Sequence, residues 1–381
     1  MLRVQQVLSR PRARRSRLPL LALMALSASV WLGPSVPALA QDIYAWGERY
    51  GPTPVPVHNI GSISVLAAGW GHGLATNGNV VCAWGSNSSG QLGDGTTIDR
   101  LDPVAVHNLT GTGVFALAGG QAHSLAITAD GTVWAWGQNA FGQLGDGTTT
   151  DRLEPVPIPT LSDVVAIAAG RLHSLALTSD GTVWAWGDNH IGQLGDGTRT
   201  GHLEPAPVLN LNDVVVAIAT FSDHSLALTV NGDVWAWGFN GFGQLGDGTT
   251  TDRLEPVLVQ NLPSDIFAVA AGGGHSLAMN SSGDTTWAWG FNLEGQLGDG
   301  TFTDRLTPVP VRNLTEISAI AAGGAHSLAI GPGLGVWAWG SNSAGQLGDG
   351  TFRPSPIPVH VQNLTDIIAI GAGNALSLAH P

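Results

Sequence analysis

Short apolar runs alternate with glycine-rich polar stretches along most of the chain. In one such unit, residues 163–207, an apolar run at 164–169 predicts a buried innermost strand. A second run, 173–178, leads through a Ser-Asp-Gly turn into a third strand at 182–186, where tryptophans alternate with smaller residues. After a long GQLGDGT loop comes a strand at 204–209 whose prolines place it at a sheet edge. The unit is therefore predicted to be a four-stranded antiparallel meander, the form of a propeller blade.

The unit recurs along the chain, which indicates a repeat architecture. Successive AWG tryptophans are separated by 38, 52, 50, 51, 52 and 50 residues, and they are Trp46, Trp84, Trp136, Trp186, Trp237, Trp289 and Trp339. Seven copies of the second strand begin at His72, His123, His173, His224, His275, His326 and Leu376.

The two ends of the repeat region complement each other. The first fragment, 43–47, matches a third strand, and the last, 375–380, matches a second strand. Their union in one blade would join the termini and remove the open edges of the ring. For residues 41–381 we predict an all-β fold, a seven-bladed β-propeller of four-stranded antiparallel blades, with a closing blade shared by N- and C-terminal strands.

Small residues dominate the predicted innermost strands. The AAG segments begin at Ala67, Ala168, Ala270 and Ala321. Strands that converge on an axis leave room only for small side chains. The AWG tryptophans are expected to fill the wedges between blades, so we assign them to the core rather than to a ligand site.

The first 40 residues differ in kind from the repeat. Six arginines and no acidic residue are followed by an apolar run at 18–32 and by an Ala-Leu-Ala segment that ends at Ala40. This order predicts a signal peptide at 1–40 and hence a secreted, periplasmic or cell-surface protein. An uncleaved membrane anchor is the alternative, although the run is shorter than the ~20 residues of a span. The Arg14-Arg15 pair leaves both general and twin-arginine export open.

Acidic residues dominate the charge of the chain. The formal net charge is −13, and removal of the signal peptide would leave nine arginines against 28 acidic residues, or −19. Such a surface repels the phosphates of nucleic acids and of anionic membranes, so we expect neither nucleic acid binding nor membrane insertion after cleavage. The only cysteine, Cys82, excludes an internal disulfide and is expected to be a buried, inert thiol.

Two linked motifs resemble the regulator of chromosome condensation repeat: AAGRLHSLAL at 168–177 and VWAWGDNHIGQLGDG at 183–197. Sister copies extend the resemblance over residues 41–381. The family implies a seven-bladed propeller but no single activity. Its founding member is a nuclear exchange factor for a small GTPase that also binds chromatin, a plant photoreceptor uses Trp and Arg clusters, and a secreted bacterial member inhibits β-lactamases. The predicted signal peptide favours a secreted, bacterial-type member.

Two repeated residue types suggest chemistry. The GDGT aspartates could bind calcium or fix a turn through their own backbone, and the few acids in each loop favour the turn. They are Asp94, Asp146, Asp196, Asp247, Asp299 and Asp349. The arginine six residues later, such as Arg152, is expected to pair with a loop aspartate such as Asp151 or with carbonyls. The repeated histidines are spread around the ring, without the convergent partners of acid–base catalysis. We therefore predict no catalytic residue, no metal site, no cofactor and no enzymatic activity.

Residues that break the repeat fall in two sets of loops. One set joins the first and second strands and the other follows AWG, so in an antiparallel meander both lie at the same end. We expect that end to bind a partner through exposed aromatic and cationic side chains. The candidate residues are Trp70, Arg171, Phe221, Phe239, Phe242 and Phe291. Trp70 lies between two glycines and is expected to have little local cover; the alternative is that these aromatic side chains pack on the GQLGDGT loops.

These inferences favour a secreted or periplasmic, non-enzymatic, monomeric propeller that binds a protein partner through one loop face. Two alternatives stay open. One is a carbohydrate or cell-surface binder, because aromatic faces also stack on sugars. The other is a guanine nucleotide exchange factor, which the family resemblance alone implies.

Overall fold

Seven four-stranded antiparallel sheets surround one axis in the computed structural model, which describes residues 43–381. Each innermost strand contacts the innermost strands of both neighbouring sheets, so the ring is closed. The predicted seven-bladed β-propeller is therefore confirmed. The predicted signal peptide, 1–40, lies outside the described residues.

Every blade contains an innermost, a second, a third and an outer strand. The innermost strands are β3 (Val65–Ala68), β7 (Ala116–Gly119), β11 (Val164–Ala169), β15 (Val215–Thr220), β19 (Ile266–Ala271), β23 (Ala319–Ala322) and β27 (Ala369–Ala372). The second strands are β4 (His72–Thr76), β8 (His123–Ile127), β12 (His173–Thr178), β16 (His224–Thr229), β20 (His275–Asn280), β24 (His326–Ile330) and β28 (Leu376–His380).

The third strands carry the AWG motif, and the outer strands carry the prolines. The third strands are β1 (Ile43–Gly47), β5 (Val81–Gly85), β9 (Val133–Gly137), β13 (Val183–Gly187), β17 (Val234–Gly238), β21 (Thr286–Gly290) and β25 (Val336–Gly340). The outer strands are β2 (Gly51–Val57), β6 (Arg100–Ala105), β10 (Arg152–Ile158), β14 (His202–Pro207), β18 (Arg253–Leu258), β22 (Arg305–Pro310) and β26 (Ser355–His360). Within residues 43–381 the only helix is a single 3-10 turn at Pro332–Leu334, and no helix there is long and apolar enough to cross a membrane.

Blade 7 joins the two ends of the described chain. Blade 1 contains β3–β6 and the blades follow in order to blade 6, β23–β26, whereas blade 7 has the strand order β2-β1-β28-β27. In its central pair, Tyr44 lies opposite Ala379 and Trp46 opposite Ser377. β27 contacts β3 of blade 1 and closes the ring. The predicted closing blade, shared by N- and C-terminal strands, is confirmed.

The AWG tryptophans fill the wedges between blades, as predicted, and all seven are at most 1% exposed. In six of them the indole Nε1 donates to a glutamine backbone carbonyl in the GQLGDGT loop of the preceding blade. Trp186 donates in this way to Gln143 at 2.9 Å. Gly145, at φ 71°, leaves room for the indole, because a Cβ there would lie 2.8 Å from its Nε1. Each loop thus buries one tryptophan and satisfies its only polar atom.

The boundaries of the outer two strands differ slightly from the prediction. β13 and β14 cover 183–187 and 202–207, whereas the pattern placed them at 182–186 and 204–209. The pairing starts earlier because Gly187 lies opposite His202, ahead of an irregularity in the register. Cys82, predicted to be buried, is half-buried in β5, and burial raises the pKa of its thiol.

Candidate functional site

The two sets of variable loops meet at one end of the ring. The residue after each AWG glycine donates its N–H to the carbonyl just before the second strand. Asp188 donates to Leu172 at 2.9 Å, and Phe291 donates to Gly274 at 2.8 Å. Both sets therefore lie on one surface, as predicted, and this surface is called the loop face.

Trp70 of blade 1 and Phe221 of blade 4 form a stacked pair, called the axial pair. Their ring centroids are 5.8 Å apart and their planes differ by 19°. The Trp70 indole Nε1 also donates to the Phe221 carbonyl at 3.1 Å. Phe221 is 5% exposed and lines a small axial cavity among alanines of the innermost strands. The expectation that Trp70 has little cover is wrong, because Phe221 covers one face of its ring, although Trp70 stays partly exposed.

A neighbouring threonine explains how Phe221 reaches the axis. Phe221 occupies a position where other blades have a glycine, such as Gly170, whose N–H donates to the carbonyl of the repeated histidine. A Cβ at Gly170 would lie 2.4 Å from the His173 ring, so the usual geometry has no room for a side chain. In blade 4 the Thr220 hydroxyl makes the bond instead, donating to the His224 carbonyl at 2.8 Å. Thr220 therefore frees the Phe221 backbone from that bond.

Arg171 is held by an ion pair that the sequence reasoning missed. Its Nε lies 2.9 Å from both carboxylate oxygens of Asp223. Its backbone N–H donates to the Ser222 carbonyl at 3.0 Å, so an ion pair and a backbone hydrogen bond join the turns of blades 3 and 4. The Arg171 side chain keeps 30% of its surface exposed. A partner that contacts the exposed part of Arg171 therefore meets a guanidinium whose charge is already paired with Asp223.

Phe239, Phe242 and Phe291 form a second aromatic group, called the phenylalanine cluster. Phe242 meets Phe239 edge-on with centroids 5.7 Å apart, and it meets Phe291 at 4.7 Å with planes tilted by 50°. Gly274 makes this approach possible, because a Cβ there would lie 3.2 Å from the Phe291 Cβ and 3.3 Å from the Phe242 ring. Phe242 is 37% exposed while its two neighbours are partly buried. The cluster thus presents one aromatic ring to solvent on a packed base.

Two further apolar side chains on the loop face were not among the candidate residues. Phe141 is 46% exposed and Leu293 is 63% exposed. Phe141 and Phe242 occupy equivalent positions, because each donates its N–H to the side-chain oxygen of the glutamine two residues later. That fixed distance to the GQLG glutamine is the sequence signal that identifies the position.

The repeated histidines form a buried ring. Each Nε2 lies 2.9 to 3.0 Å from the serine hydroxyl of the next blade, as in His173 and Ser225. The Ser225 hydroxyl in turn donates to the Gln193 carbonyl at 3.1 Å. A carbonyl only accepts, so the serine proton is committed and the histidine must donate from Nε2. The six histidines are therefore neutral Nε2–H tautomers, and each Nδ1 is buried without a partner.

Burial holds these histidines in the neutral form. It lowers the pKa of His72 and His224 to about 4 and that of His123, His173, His275 and His326 to about 3, because a buried imidazolium loses its hydration. All six side chains are 0% exposed. The ring links neighbouring blades and presents no acid–base group on the loop face.

The GDGT aspartates hold turns within their own loops. Asp146 accepts bonds from the Thr148 hydroxyl at 2.7 Å, the Asn139 amide at 3.0 Å and the Arg152 Nε at 2.8 Å. Burial raises the pKa of Asp146, but these bonds outweigh burial and lower it. Arg152 pairs with a loop aspartate, as expected, but the partner is Asp146; Asp151, the example given, accepts the Asn139 backbone N–H at 2.7 Å instead. Within the described chain no three His, Cys, Asp or Glu side chains are grouped so that they could hold a metal ion.

Comparison with known proteins agrees with the repeat. The family model of the regulator of chromosome condensation (RCC1) repeat matches six segments, at 79–127, 130–177, 180–228, 231–279, 284–330 and 335–380. The chain is similar to the ultraviolet-B receptor UVR8 of Arabidopsis thaliana, with 33% identity over 276 residues that make up 70% of this chain and 62% of the receptor. It is also similar to the E3 ubiquitin-protein ligase HERC2 of Homo sapiens, with 34% identity over 307 residues, which are 76% of this chain and 5% of the ligase.

Among solved structures the chain is similar to Prp20p of Saccharomyces cerevisiae, a protein studied for its binding to Gsp1p and histones. The TM-score is 0.80 at 25% identity, and the match covers 90% of this chain and 91% of Prp20p. The chain spans less than two thirds of the length of UVR8 and of HERC2. It belongs to the regulator of chromosome condensation (RCC1) repeat family.

Proposed function

We propose that this protein is a secreted or periplasmic, non-enzymatic, monomeric propeller that binds a protein partner through the loop face. The phenylalanine cluster carries the proposal. It holds Phe242 partly exposed on a packed base, and Phe141 and Leu293 are exposed on other loops of the same face. Aromatic side chains, phenylalanine included, are enriched at protein interfaces, and the residues that dominate binding sit in well-packed surroundings.

Several observations support a protein partner. Prp20p, whose fold this chain shares, has been studied for its binding to Gsp1p and histones. The acidic charge of the chain disfavours nucleic acid. Prolines in the outer strands, such as Pro155 and Pro157 in β10, oppose pairing between the edges of two rings and so favour a monomer. The secreted location has its support in the composition of residues 1–40 alone, since the relatives named above come from a plant, a mammal and a yeast.

A carbohydrate ligand is the second candidate. The partly exposed rings of Trp70 and Phe242 could stack on a sugar. The exchange activity that the resemblance implied remains a third outcome, to be checked as nucleotide release from a small GTPase. A glycan array and that release assay, run on the same variants, separate these functions from protein binding.

The test compares substitutions of exposed apolar side chains on opposite faces. Phe242→Asp and Leu293→Asp alter the loop face, whereas Phe267→Asp alters a 53% exposed phenylalanine near the start of β19, at the other end of the ring. A photo-reactive crosslinker at residue 141 would report the captured proteins from the secreted and envelope fractions. We expect the two loop-face variants to reduce capture about tenfold each, and Phe267→Asp to leave capture unchanged.

Melting temperatures provide the control for folding. Substitutions at exposed positions usually change stability by roughly 0.5 kcal/mol or less. Equal capture by the loop-face variants and by Phe267→Asp, with all three folded, would reject the loop face as the binding surface. The secreted location is checked separately by the intact mass of the exported protein, which should begin at Gln41.

A further inference from the structure

The wedge between blade 7 and blade 1 lacks the loop that fills the other six wedges. This wedge, called the seam, is formed by Tyr50 and Leu376 of blade 7 and by Gly73, Trp84 and Leu101 of blade 1. Six blades connect their third and outer strands through a GQLGDGT loop that folds onto the next blade. In blade 7 the same connection, between β1 and β2, is only three residues long.

In the complete wedges the loop makes three contacts with the AWG tryptophan and the outer strand of the next blade. The Gln91 carbonyl accepts the Trp136 indole N–H at 2.8 Å. The Gly95 N–H donates to the Leu153 carbonyl at 3.1 Å. Gly90 covers the Leu153 side chain so closely that a Cβ there would lie 2.6 Å from its Cδ2. The equivalent contacts recur in the other wedges, with proline in place of the leucine in two of them.

None of these three contacts is present at the seam. Trp84 is 1% exposed, and its indole N–H reaches no backbone carbonyl of the described chain; the Tyr50 side chain lies against it instead. Leu101, the counterpart of Leu153, is 72% exposed, whereas Leu153 is 38% exposed. No N–H from a preceding loop in residues 43–381 donates to the Leu101 carbonyl. The seam therefore leaves a buried donor, an outward carbonyl and an apolar side chain without the partners that their counterparts have.

Side chains of blade 7 close the seam only in part. Tyr50 packs against the cluster that contains Trp84, and burial raises the pKa of Tyr50. Arg49 reaches across to the Ser86 hydroxyl and to Asp99, each at 2.9 Å. Neither side chain covers Leu101, which is more exposed than any other large apolar residue described. The opening is thus at the rim, beside Tyr50.

We propose that the seam is a docking site for a glycine-containing tight turn of a partner polypeptide. The occupant is inferred from the six intact wedges, where such a turn fills the equivalent position. Its N–H groups would donate to the Leu101 carbonyl, and a glycine would cover the Leu101 side chain. A carbonyl of the turn would accept the Trp84 N–H after Tyr50 moves aside. Because backbone groups and glycine make these contacts, recognition depends on the shape of the turn.

The seam borders the loop face, since Arg49 and Ser86 belong to its loops, but it is separate from the phenylalanine cluster that carries the proposed function. It lies on blades 7 and 1, whereas the phenylalanine cluster lies on blades 4 and 5. Leu101→Asp should therefore leave capture through the phenylalanine cluster unchanged, and Phe242→Asp should leave docking at the seam unchanged. Failure of either proposal leaves the other standing.

The probe is a synthetic peptide of residues 137–151 of this chain, which carries the loop that fills the wedge between blades 2 and 3. It is titrated into the full chain labelled at the tryptophan indoles and leucine methyls, and Trp84→Phe assigns the indole signal. We expect a saturable shift of the Trp84 indole and Leu101 methyl signals. Leu101→Asp should weaken binding about tenfold. N-methylation of Gly147 in the peptide should weaken it by a similar factor, because it removes the N–H that would donate to the Leu101 carbonyl.

A matched variant separates docking from a general surface effect. Leu153→Asp changes the counterpart leucine in a wedge that already has its loop, so peptide affinity should not change. Absence of a Trp84 or Leu101 shift at millimolar peptide overturns the proposal. So does a shift of equal size with the N-methylated peptide, or an equal loss of affinity in Leu101→Asp and Leu153→Asp.

Discussion

Acidification should destabilise the propeller through its ring of buried histidines. Burial lowers the pKa of all six from 6.5 to about 3 or about 4, as for His123 and His224. In the unfolded chain each histidine takes up a proton near its ordinary pKa, which the folded ring prevents. A group whose folded pKa is lowered contributes stability that is complete above its unfolded pKa and is lost as the pH falls towards its folded pKa. The loss therefore begins below about pH 6.5.

The magnitude follows from the number of histidines. At pH 5.5, one unit below the unfolded pKa, protonation of the unfolded chain costs about 1.4 kcal/mol of stability for each histidine. The six of the ring together lower the free energy of unfolding by about 8 kcal/mol relative to pH 7.5. Many folded domains are stable by only roughly 5–15 kcal/mol, so this loss is large. Carboxylates such as Asp146, whose pKa is lowered from 3.8, change their protonation at more acidic pH.

Urea denaturation at pH 7.5, 6.5 and 5.5 measures this loss, and its pH slope gives the protons taken up on unfolding. At pH 5.5 the six ring histidines should contribute about five to six protons per molecule, and His380, whose pKa burial also lowers to about 4, about one more. His224→Gln keeps a side-chain donor for Ser276 but cannot titrate, so it should lower the uptake by about one proton. A loss below about 2 kcal/mol between pH 7.5 and 5.5 would refute the reasoning, since it would mean that the folded ring accepts protons.

Four other predictions concern the wedges, the loops and the closure. Trp186→Phe should cost about 1 kcal/mol more in denaturant titrations than Trp84→Phe, because only Trp186 has a carbonyl acceptor; equal losses would contradict this. Gly73→Ser restores the residue of the repeat but should lower the melting temperature, because its Cβ would lie 2.3 Å from the Trp84 ring; a more stable variant would argue against that geometry. Asp146→Asn should cost about 1–3 kcal/mol while a chelator leaves the wild-type melting temperature unchanged, and stabilisation by calcium would instead favour a metal site. Truncation after residue 364 removes β27 and β28 and should abolish cooperative unfolding in calorimetry, unless the ring closes without them.

The periodic pattern was sufficient to predict the blades because each strand type carries its own physical signal. The third strand has tryptophans that must be buried, the innermost strand has small residues for the crowded axis, and the outer strand has prolines that suit an edge. Counting these strands also predicted the closing blade, since a lone third strand at 43–47 needs the second strand at the other end.

The candidate site was harder to predict, because its contacts join distant blades. Trp70 bonds Phe221, 151 residues away, and no local pattern brings these two residues together. The sequence shows that Phe221 replaces a repeated glycine, but the compensating bond from Thr220 depends on the register of β15 and β16. The sequence also did not indicate which phenylalanines are exposed. Phe221 is buried, whereas Phe242, in another loop of the same blade, is partly exposed.

The seam shows how three separate departures from the repeat meet at one wedge. Leu376 replaces a ring histidine, Gly73 replaces the serine that this histidine would bind, and the connection after β1 lacks the loop. The wedge where the two ends of the described chain meet therefore lacks three groups of a complete wedge: the ring histidine, the serine that it binds and the glutamine carbonyl. This wedge has the fewest bonds across it, so its opening should require the least free energy of the seven. A partner turn that binds only the closed seam would stabilise the closed ring by mass action, which couples docking at the rim to closure of the whole propeller.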